Sequence, residues 1–261
     1  MNKKLIALSL GSSILVGCGG GGSSSTLPVS ASGLVTFSDD AGIARLVNTE
    51  TGQRIYLSTP ELGEVITEIN SGNLSSSPSS YLSDITVTDT SLPYADYGTG
   101  TLTVGGQTAN IYSWEDRTSG AGLAVLAIPD IGALAFNGPS SEALSNLPSG
   151  THTYVGTEVV SPRLNLSPVV GTFSMTADFT NKVASYSGVN ANTTMVVNNM
   201  SINTSTGDFA GSNGTFTYNS NSQSATLYGS FGGNGASGVA GVYHTNDTNG
   251  TFQGGFIGHK Q

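Results

Sequence analysis

Residues 170–179 read VGTFSMTADF, and this stretch shows how the C-terminal half of the chain folds. Apolar and polar side chains alternate along it, the apolar set being Phe173, Met175, Ala177 and Phe179. Successive side chains of a β-strand point to opposite faces, so the alternation predicts a strand with one buried and one exposed face. The same pattern returns further along the chain, where the apolar set is Ala225, Leu227, Gly229 and Phe231.

Eight such runs follow one another after Gly150, separated by short turns rich in Asn, Gly, Ser and Thr. The predicted strands are His152–Glu158, Val170–Phe179, Lys182–Ser187, Thr194–Ile202, Asp208–Tyr218, Ser224–Phe231, Ser237–Thr245 and Thr251–His259. Short connections make successive strands antiparallel, and eight strands can close into a barrel without an exposed edge. Residues 150–261 are therefore predicted to form an eight-stranded antiparallel up-and-down barrel. Its alternate polar faces are unlike the apolar, lipid-facing band of an integral membrane barrel.

Residues 33–149 are predicted to form a smaller β-rich domain with one short helix. Alternating runs at 33–38, 43–48 and 53–58 are typical of a meander, and Leu123–Ile128 indicates a buried strand. The segments Leu102–Val104 and Thr108–Tyr112 flank a Gly-Gly pair, which is a hairpin signal.

The helix is predicted to begin at Pro60, after a Thr N-cap, and to end at Gly72, with apolar residues at helical spacing between them. Acidity separates this region from the barrel. Residues 33–149 carry thirteen acidic and three basic side chains, whereas residues 150–261 carry four and three.

The N-terminus has the pattern of an export signal. Two lysines precede the apolar run Leu5–Val16, which suits a signal peptide and is too short to span a bilayer. The run ends in Leu-Val-Gly-Cys, which resembles the lipobox of bacterial lipoproteins. That resemblance implies cleavage between Gly17 and Cys18 and acylation of Cys18, so residues 1–17 form the signal peptide. Residues 18–32 then form the lipidated cysteine and a Gly/Ser tether. By resemblance to enterobacterial sorting rules, Gly19 after the cysteine permits export to the outer membrane.

Composition excludes several classes of protein. The chain has 261 residues, 36 glycines, 10% charged residues and a formal net charge of −9, which disfavours an all-α fold. An acidic chain lacks the basic footprint that nucleic acid requires. The single cysteine allows no internal disulfide.

Motifs for catalysis or metal binding are weak, and the sequence predicts no enzyme and no resident cofactor. The pattern G-x-G-x-x-G at 233–238 precedes a predicted strand rather than a helix, so it is interpreted as a hairpin turn. Glu115 and Asp116 could be interpreted as paired carboxylates. Adjacent residues of a strand point to opposite faces, however, so we expect a turn at these two residues. The three histidines have no zinc-ligand spacing. His244, beside Tyr243 at a strand end, is the candidate ligand-binding residue, as an axial haem ligand; the alternative for such a histidine is simple solvation.

The barrel region resembles the β-barrel domain of transferrin-binding protein B and related surface lipoproteins of Gram-negative bacteria. The resemblance rests on an ordered set of short motifs between residues 153 and 260: TYVG at 153–156, GTF at 171–173, ADFTNK at 177–182, GDFAG at 207–211, LYGSFGGNGA at 227–236, VAGVY at 239–243 and GFIGHK at 255–260. The two-lobed members of that family are much longer than this chain.

This resemblance implies a non-enzymatic binding protein anchored by lipid to the outer membrane, exposed at the cell surface and active in iron or haem acquisition. The implied partners are an iron- or haem-carrying protein or a TonB-dependent receptor. Two alternatives stay open. One is a carrier of haem or another small ligand, and the other is a structural envelope lipoprotein whose barrel is filled by its own side chains.

Overall fold

The computed structural model describes residues 34–36, 43–47, 54–58, 86–104, 107–128, 132–138, 144–162, 168–246 and 252–261. Within these residues the chain is mainly β, as predicted, and it forms an open sheet followed by a closed barrel. The helix expected at residues 60–72 and the N-terminal signal and tether lie outside the described residues. In the part of the chain that is described, no helix is long and apolar enough to cross a membrane.

The first eight strands form one antiparallel sheet in the order β1-β2-β3-β8-β7-β6-β5-β4. Their bounds are β1 Leu34–Thr36, β2 Ile43–Val47, β3 Arg54–Ser58, β4 Thr86–Asp89, β5 Ala95–Val104, β6 Gln107–Asp116, β7 Gly122–Ile128 and β8 Gly132–Gly138. The predicted hairpin is confirmed, since β5 and β6 pair in a register that sets Val104 opposite Gln107. The turn expected at Glu115 and Asp116 is wrong, because both residues belong to β6 and pair with β5.

The remaining eight strands close into a barrel in which each strand pairs antiparallel with the next and the last, β16, pairs with β9. Their bounds are β9 Thr151–Pro162, β10 Val169–Asp178, β11 Val183–Val189, β12 Thr193–Asn203, β13 Asp208–Tyr218, β14 Asn221–Gly232, β15 Gly238–Thr245 and β16 Phe252–Lys260. All eight predicted strands are confirmed. The largest difference is at β9, which continues beyond Glu158 to Pro162 because β10 and β16 pair with it there.

Alternation determines which side chains fill the barrel. On β10, Phe173, Met175 and Ala177 are buried in the interior, while Thr172, Ser174 and Thr176 are exposed. The largest buried side chains of the interior are aromatic, and glycines leave space for their rings. Gly241, for example, lies against the ring of Phe256, where a Cβ atom would overlap the ring.

The sheet covers one wall of the barrel. Outward-facing side chains on β9, β15 and β16 are buried because they pack against the sheet, as Val159, Ala240 and Ile257 do. Their partners on the sheet include Ala95, Trp114, Ala121, Leu123 and Val125. We call this cluster the sheet–barrel interface. It explains why β15 is buried along its whole length rather than on alternate residues.

Candidate functional site

A buried carboxylate lies in the middle of the barrel interior. Glu158 follows Tyr154 and Gly156 on the inward-facing side of β9, so the strand's alternation carries an acidic side chain into the core. Its Oε1 accepts hydrogen bonds from the hydroxyls of Tyr243 at 2.8 Å and Tyr186 at 3.1 Å. Its Oε2 is buried and has no hydrogen-bond partner among the described residues.

Glycine provides the space for this carboxylate. A Cβ atom on Gly188 would overlap the carboxyl atoms of Glu158, so the group occupies the volume that a side chain on β11 would otherwise fill. Burial raises the pKa of Glu158 to about 7, and the two tyrosine hydrogen bonds only partly oppose that effect. Burial, together with the nearby Glu158 carboxylate, also raises the pKa values of Tyr186 and Tyr243, so both keep their hydroxyl hydrogens to donate.

Ring contacts extend from this cluster to both ends of the barrel. Toward one end, Tyr243 contacts Phe216, which contacts Phe252, which contacts Tyr218. Toward the other end the contacts continue through a second set of rings: Tyr186, Phe256, Phe209, Phe231 and Phe179. Glu158 links the two sets by bonding to one tyrosine from each. The barrel interior is therefore filled along its length by the protein's own side chains, as an eight-stranded barrel permits.

A second polar cluster joins the sheet to the barrel. Asp116, the last residue of β6, has a fully buried side chain, and its Oδ2 lies 3.0 Å from Nδ1 of His259 on β16. Its Oδ1 accepts hydrogen bonds from the backbone N–H groups of Thr118 at 3.1 Å and Ser119 at 2.8 Å. The ring of Tyr94 contacts the His259 ring edge-on at 5.9 Å. The carboxylate therefore shapes the turn after β6 and also binds the last barrel strand.

The same cluster contains a serine, a histidine and an aspartate, but their contacts differ from those of a catalytic triad. The Ser119 hydroxyl lies 2.8 Å from Oδ1 of Asp116 and 3.0 Å from the carbonyl oxygen of Gly258. In serine hydrolases the hydroxyl lies against the imidazole, which removes its proton. Here the serine oxygen bonds to the carboxylate, so the arrangement suits a structural joint between the two sheets.

The two ends of the barrel differ. Residues 144–150 close the end where β9 begins, which we call the capped end: Leu144 and Leu147 pack on the barrel core. The N–H of Gly235 there donates to the carbonyl of Ser145 at 2.9 Å, and the Tyr154 hydroxyl donates to the carbonyl of Ala236 at 2.9 Å.

Large apolar side chains are exposed at the opposite end, where β9 ends and β10 begins. Val189 is 50% exposed, and Val169 and Tyr218 are each 39% exposed. The pairing of Thr193 with Tyr218 places the start of β12, just after the β11–β12 turn, beside the end of β13. We call Val169, Val189 and Tyr218 the exposed apolar rim. A group of exposed apolar side chains at one end of a barrel is a candidate contact surface for another macromolecule.

The residues predicted to bind a ligand do not come together. Tyr243 points into the barrel and donates to Glu158, while His244 lies on the outer face of β15 and is only 5% exposed. Nδ1 of His244 is 3.1 Å from the carbonyl oxygen of Thr245. Simple solvation, the alternative for a histidine at a strand end, is wrong for His244 because its side chain is buried. Haem ligation by His244 stays a prediction.

The other candidates are placed as follows. Gly17 and Cys18 lie outside the described residues. His152, at the capped end, has Nε2 3.0 Å from the carbonyl oxygen of Ser149. Residues 233–237 connect β14 to β15, which confirms the hairpin interpretation of the glycine-rich pattern. Among the described residues, no group of three His, Cys, Asp or Glu side chains could hold a metal ion.

Both polar clusters were missed in the sequence, although the Glu158 cluster left a trace. Alternation on β9 from Tyr154 through Gly156 places Glu158 on the inward face, which is a signal for a buried charge in a barrel. Nothing of that kind links Asp116 to His259, which are 143 residues apart and meet only because the sheet packs on the barrel.

No protein-family model and no curated protein matches the chain. Among solved structures, it is similar to intact Ap-TbpB with its N and C lobes, at 16% identity over 68% of this chain and with a TM-score of 0.47. This chain spans only 41% of that protein's length. A transferrin-binding protein B mutant from Actinobacillus pleuropneumoniae is 16% identical over 68% of this chain and 80% of its own, with a TM-score of 0.40. The N-lobe of lactoferrin-binding protein B from Moraxella bovis is 12% identical over 70% of this chain and 82% of its own, with a TM-score of 0.35. Similarity at this level assigns no ligand to the chain.

Proposed function

We propose that this protein is a non-enzymatic binding protein, anchored by a lipid on Cys18 to the outer membrane of a Gram-negative cell and exposed at its surface. Its partner is an iron- or haem-carrying protein, which contacts the exposed apolar rim. The ordered motifs between residues 153 and 260, together with the lipobox ending at Cys18, support this proposal.

The filled barrel interior is the observation that carries the proposal. A carrier of a small apolar ligand needs a pocket that buries most of the ligand. Here the rings of Tyr154, Tyr186, Tyr243, Phe209 and Phe256 are fully buried in the barrel. Recognition at the outer surface of the barrel is therefore favoured over uptake of haem into its interior.

Charge supports a protein partner with a basic surface. The chain's formal net charge is −9, and most of its acidic residues precede residue 150. An acidic surface speeds the encounter with a basic partner, and salt weakens this effect. We therefore expect the association rate to fall as ionic strength rises.

The proposal is tested by measuring binding to immobilised full-length protein in detergent by surface plasmon resonance. The probes are transferrin and lactoferrin with and without iron, haemoglobin, and free haem. The expected result is saturable binding of at least one carrier protein and none of free haem. If no carrier binds and free haem binds saturably, the small-ligand alternative is correct.

Two matched variants locate the contact surface. Val189→Ser at the exposed apolar rim is expected to weaken binding by about tenfold, because a buried valine contributes roughly 1–2 kcal/mol at an interface. Val183→Ser is the control, since Val183 is 39% exposed on the same strand but lies near the capped end. Equal losses in both variants would contradict a contact at the rim.

A further inference from the structure

Glu158 lies apart from the basic side chains that the structure describes in the barrel. The groups that face its carboxylate are the two tyrosine hydroxyls, from β11 and β15, and the ring-bearing side chains of the core. Among the described residues of the barrel, the basic side chains lie elsewhere: His152 and Lys260 at the capped end, Lys182 in the β10–β11 turn, and His244 and His259 on the outer face. Arg163 lies outside the described residues. Within the described part of the chain, an ionised Glu158 is therefore a buried charge with two neutral donors and one unpartnered oxygen.

The strands that hold this carboxylate also hold the sheet. Glu158 points inward from β9, and its neighbour Val159 points outward into the sheet–barrel interface. Tyr243 points inward from β15, where Ala240 faces the same interface. Phe256, the β16 residue opposite Glu158, is followed by Ile257, which again belongs to the interface. A shift of these strands in response to a charge in the core must also change how the sheet packs.

We propose that Glu158 is a proton-binding site through which the state of the barrel core controls packing at the sheet–barrel interface. With the proton bound, the neutral carboxyl fits the aromatic core and the interface is tight. When the proton is lost, the buried charge draws the Glu158 side chain toward water, and β9 and its neighbours loosen against the sheet. This inference is independent of the proposed function.

The burial of Glu158 places this transition near neutral pH. Its pKa is raised from 4.5 to about 7 in the folded protein, so the folded state favours the neutral form. The contribution of the Glu158 carboxyl to the free energy of unfolding is fully present below pH 4.5. It falls as pH rises from 4.5 to about 7 and stays constant above that range. The full change in the unfolding equilibrium constant is on the order of 100-fold.

The chain contains its own reporter of the interface. Trp114, its single tryptophan, is 2% exposed and packs in the sheet–barrel interface. The experiment follows Trp114 emission and its quenching by acrylamide in full-length protein from pH 5 to pH 9. The expected result is a red shift and stronger quenching with a midpoint near pH 7.

Four variants identify the titrating group. Glu158→Gln is expected to abolish the transition. Tyr243→Phe removes a hydrogen bond that stabilises the ionised carboxylate, so the midpoint moves to higher pH. Tyr154→Phe is the matched control, because that buried hydroxyl bonds to a carbonyl and not to Glu158. His259→Gln tests the imidazole that faces Asp116 between the sheet and the barrel, and is expected to leave the transition in place.

Two results would overturn the inference. One is a transition that persists in Glu158→Gln and disappears in His259→Gln, which would assign it to the Asp116–His259 pair. The other comes from the unmutated protein, so that it holds even if a variant does not fold. Carbon-13 NMR of labelled glutamate carboxyls would then show every carboxyl titrating near its ordinary value, with none near pH 7.

Discussion

The imidazole Nδ1 of His259 lies 3.0 Å from Oδ2 of Asp116, a residue 143 positions earlier in the chain. This contact joins the final barrel strand to the turn that follows β6. The Asp116 side chain is fully buried, and its other oxygen holds the backbone of that turn. One carboxylate therefore determines a local conformation and a contact between the sheet and the barrel.

Replacing Asp116 is expected to destabilise the protein through two contributions, which two different substitutions separate. Asp116→Asn keeps an oxygen for the turn but loses the charge facing His259, and is expected to cost about 1–2 kcal/mol of unfolding free energy. Asp116→Ala also leaves buried N–H groups unpaired and is expected to cost about 3 kcal/mol. Urea unfolding measures both. Asp178→Ala is the control: it removes a similar bond to the Asn181 N–H at 2.9 Å, but at an exposed turn, so its loss is expected to be smaller than that of either Asp116 variant.

The absence of a side chain at Gly188 leaves the space that the Glu158 carboxyl occupies. In Gly188→Ala the new methyl group overlaps the carboxyl of Glu158, and we expect a loss of about 2–3 kcal/mol by urea unfolding. The double variant Gly188→Ala with Glu158→Ala removes the overlapping group. Its loss is expected to be smaller than the sum of the two single losses by at least about 1 kcal/mol. Additive losses would mean that the two side chains do not compete for space.

Stability is expected to fall as pH rises through neutrality. Since burial raises the pKa of Glu158 to about 7, the unfolded chain releases this proton at lower pH than the folded protein does. The unfolding free energy is therefore expected to decrease by about 3 kcal/mol between pH 4.5 and pH 8. Urea unfolding at fixed ionic strength measures this trend. In Glu158→Gln this part of the pH dependence should be absent, and a slope equal to that of the unmutated protein would contradict the assignment.

Arg117, in the β6–β7 turn, binds the β4–β5 connection and the start of β5 with a geometry that lysine cannot reproduce. Its Nε pairs with Asp96, Nη1 donates to the carbonyl of Leu92 at 2.9 Å, and Nη2 donates to the carbonyls of Thr90 and Ala95. Arg117→Lys keeps the charge but only one donor group. Because the side chain is partly exposed, we expect a loss of about 1 kcal/mol in thermal or urea unfolding. No measurable loss would show that water replaces these bonds.

Lipidation is expected to depend on one side chain. In Cys18→Ser the thiol that accepts the diacylglycerol is absent, so labelled palmitate is not incorporated and the protein leaves the detergent phase in Triton X-114 partition. The unmutated protein should be labelled and enter that phase. Lys3→Gln is the control, because it changes the signal region without removing the acceptor. Labelling of Cys18→Ser would contradict the assignment of the anchor.

The strands of the barrel could be predicted from local pattern alone. Alternation such as that of Phe173, Met175 and Ala177 reports which face of a strand is buried, and Asn- and Gly-rich turns report where strands end. The observed strands agree, and β13 has the predicted bounds of Asp208 and Tyr218. The fold class therefore follows from short-range periodicity.

Alternation along a barrel strand does not show whether the sheet covers the outward-facing residues of that strand. His244 was expected at a solvated strand end, yet it is buried on the outer face of the barrel. Ala240 and Ile257 are likewise outward-facing residues that the sheet covers. Which wall is covered depends on contacts between distant parts of the chain, and period-two alternation carries no such information.

Short-range periodicity predicted a β fold and the eight barrel strands, and alternation on β9 carried an overlooked signal for the inward direction of Glu158. The contacts of Glu158 with Tyr186 and Tyr243, and of Asp116 with His259, emerge only in the folded protein. Strand direction is a local property of the backbone. Which polar groups become partners depends on barrel closure and on the packing of the sheet, which bring together residues far apart in the chain.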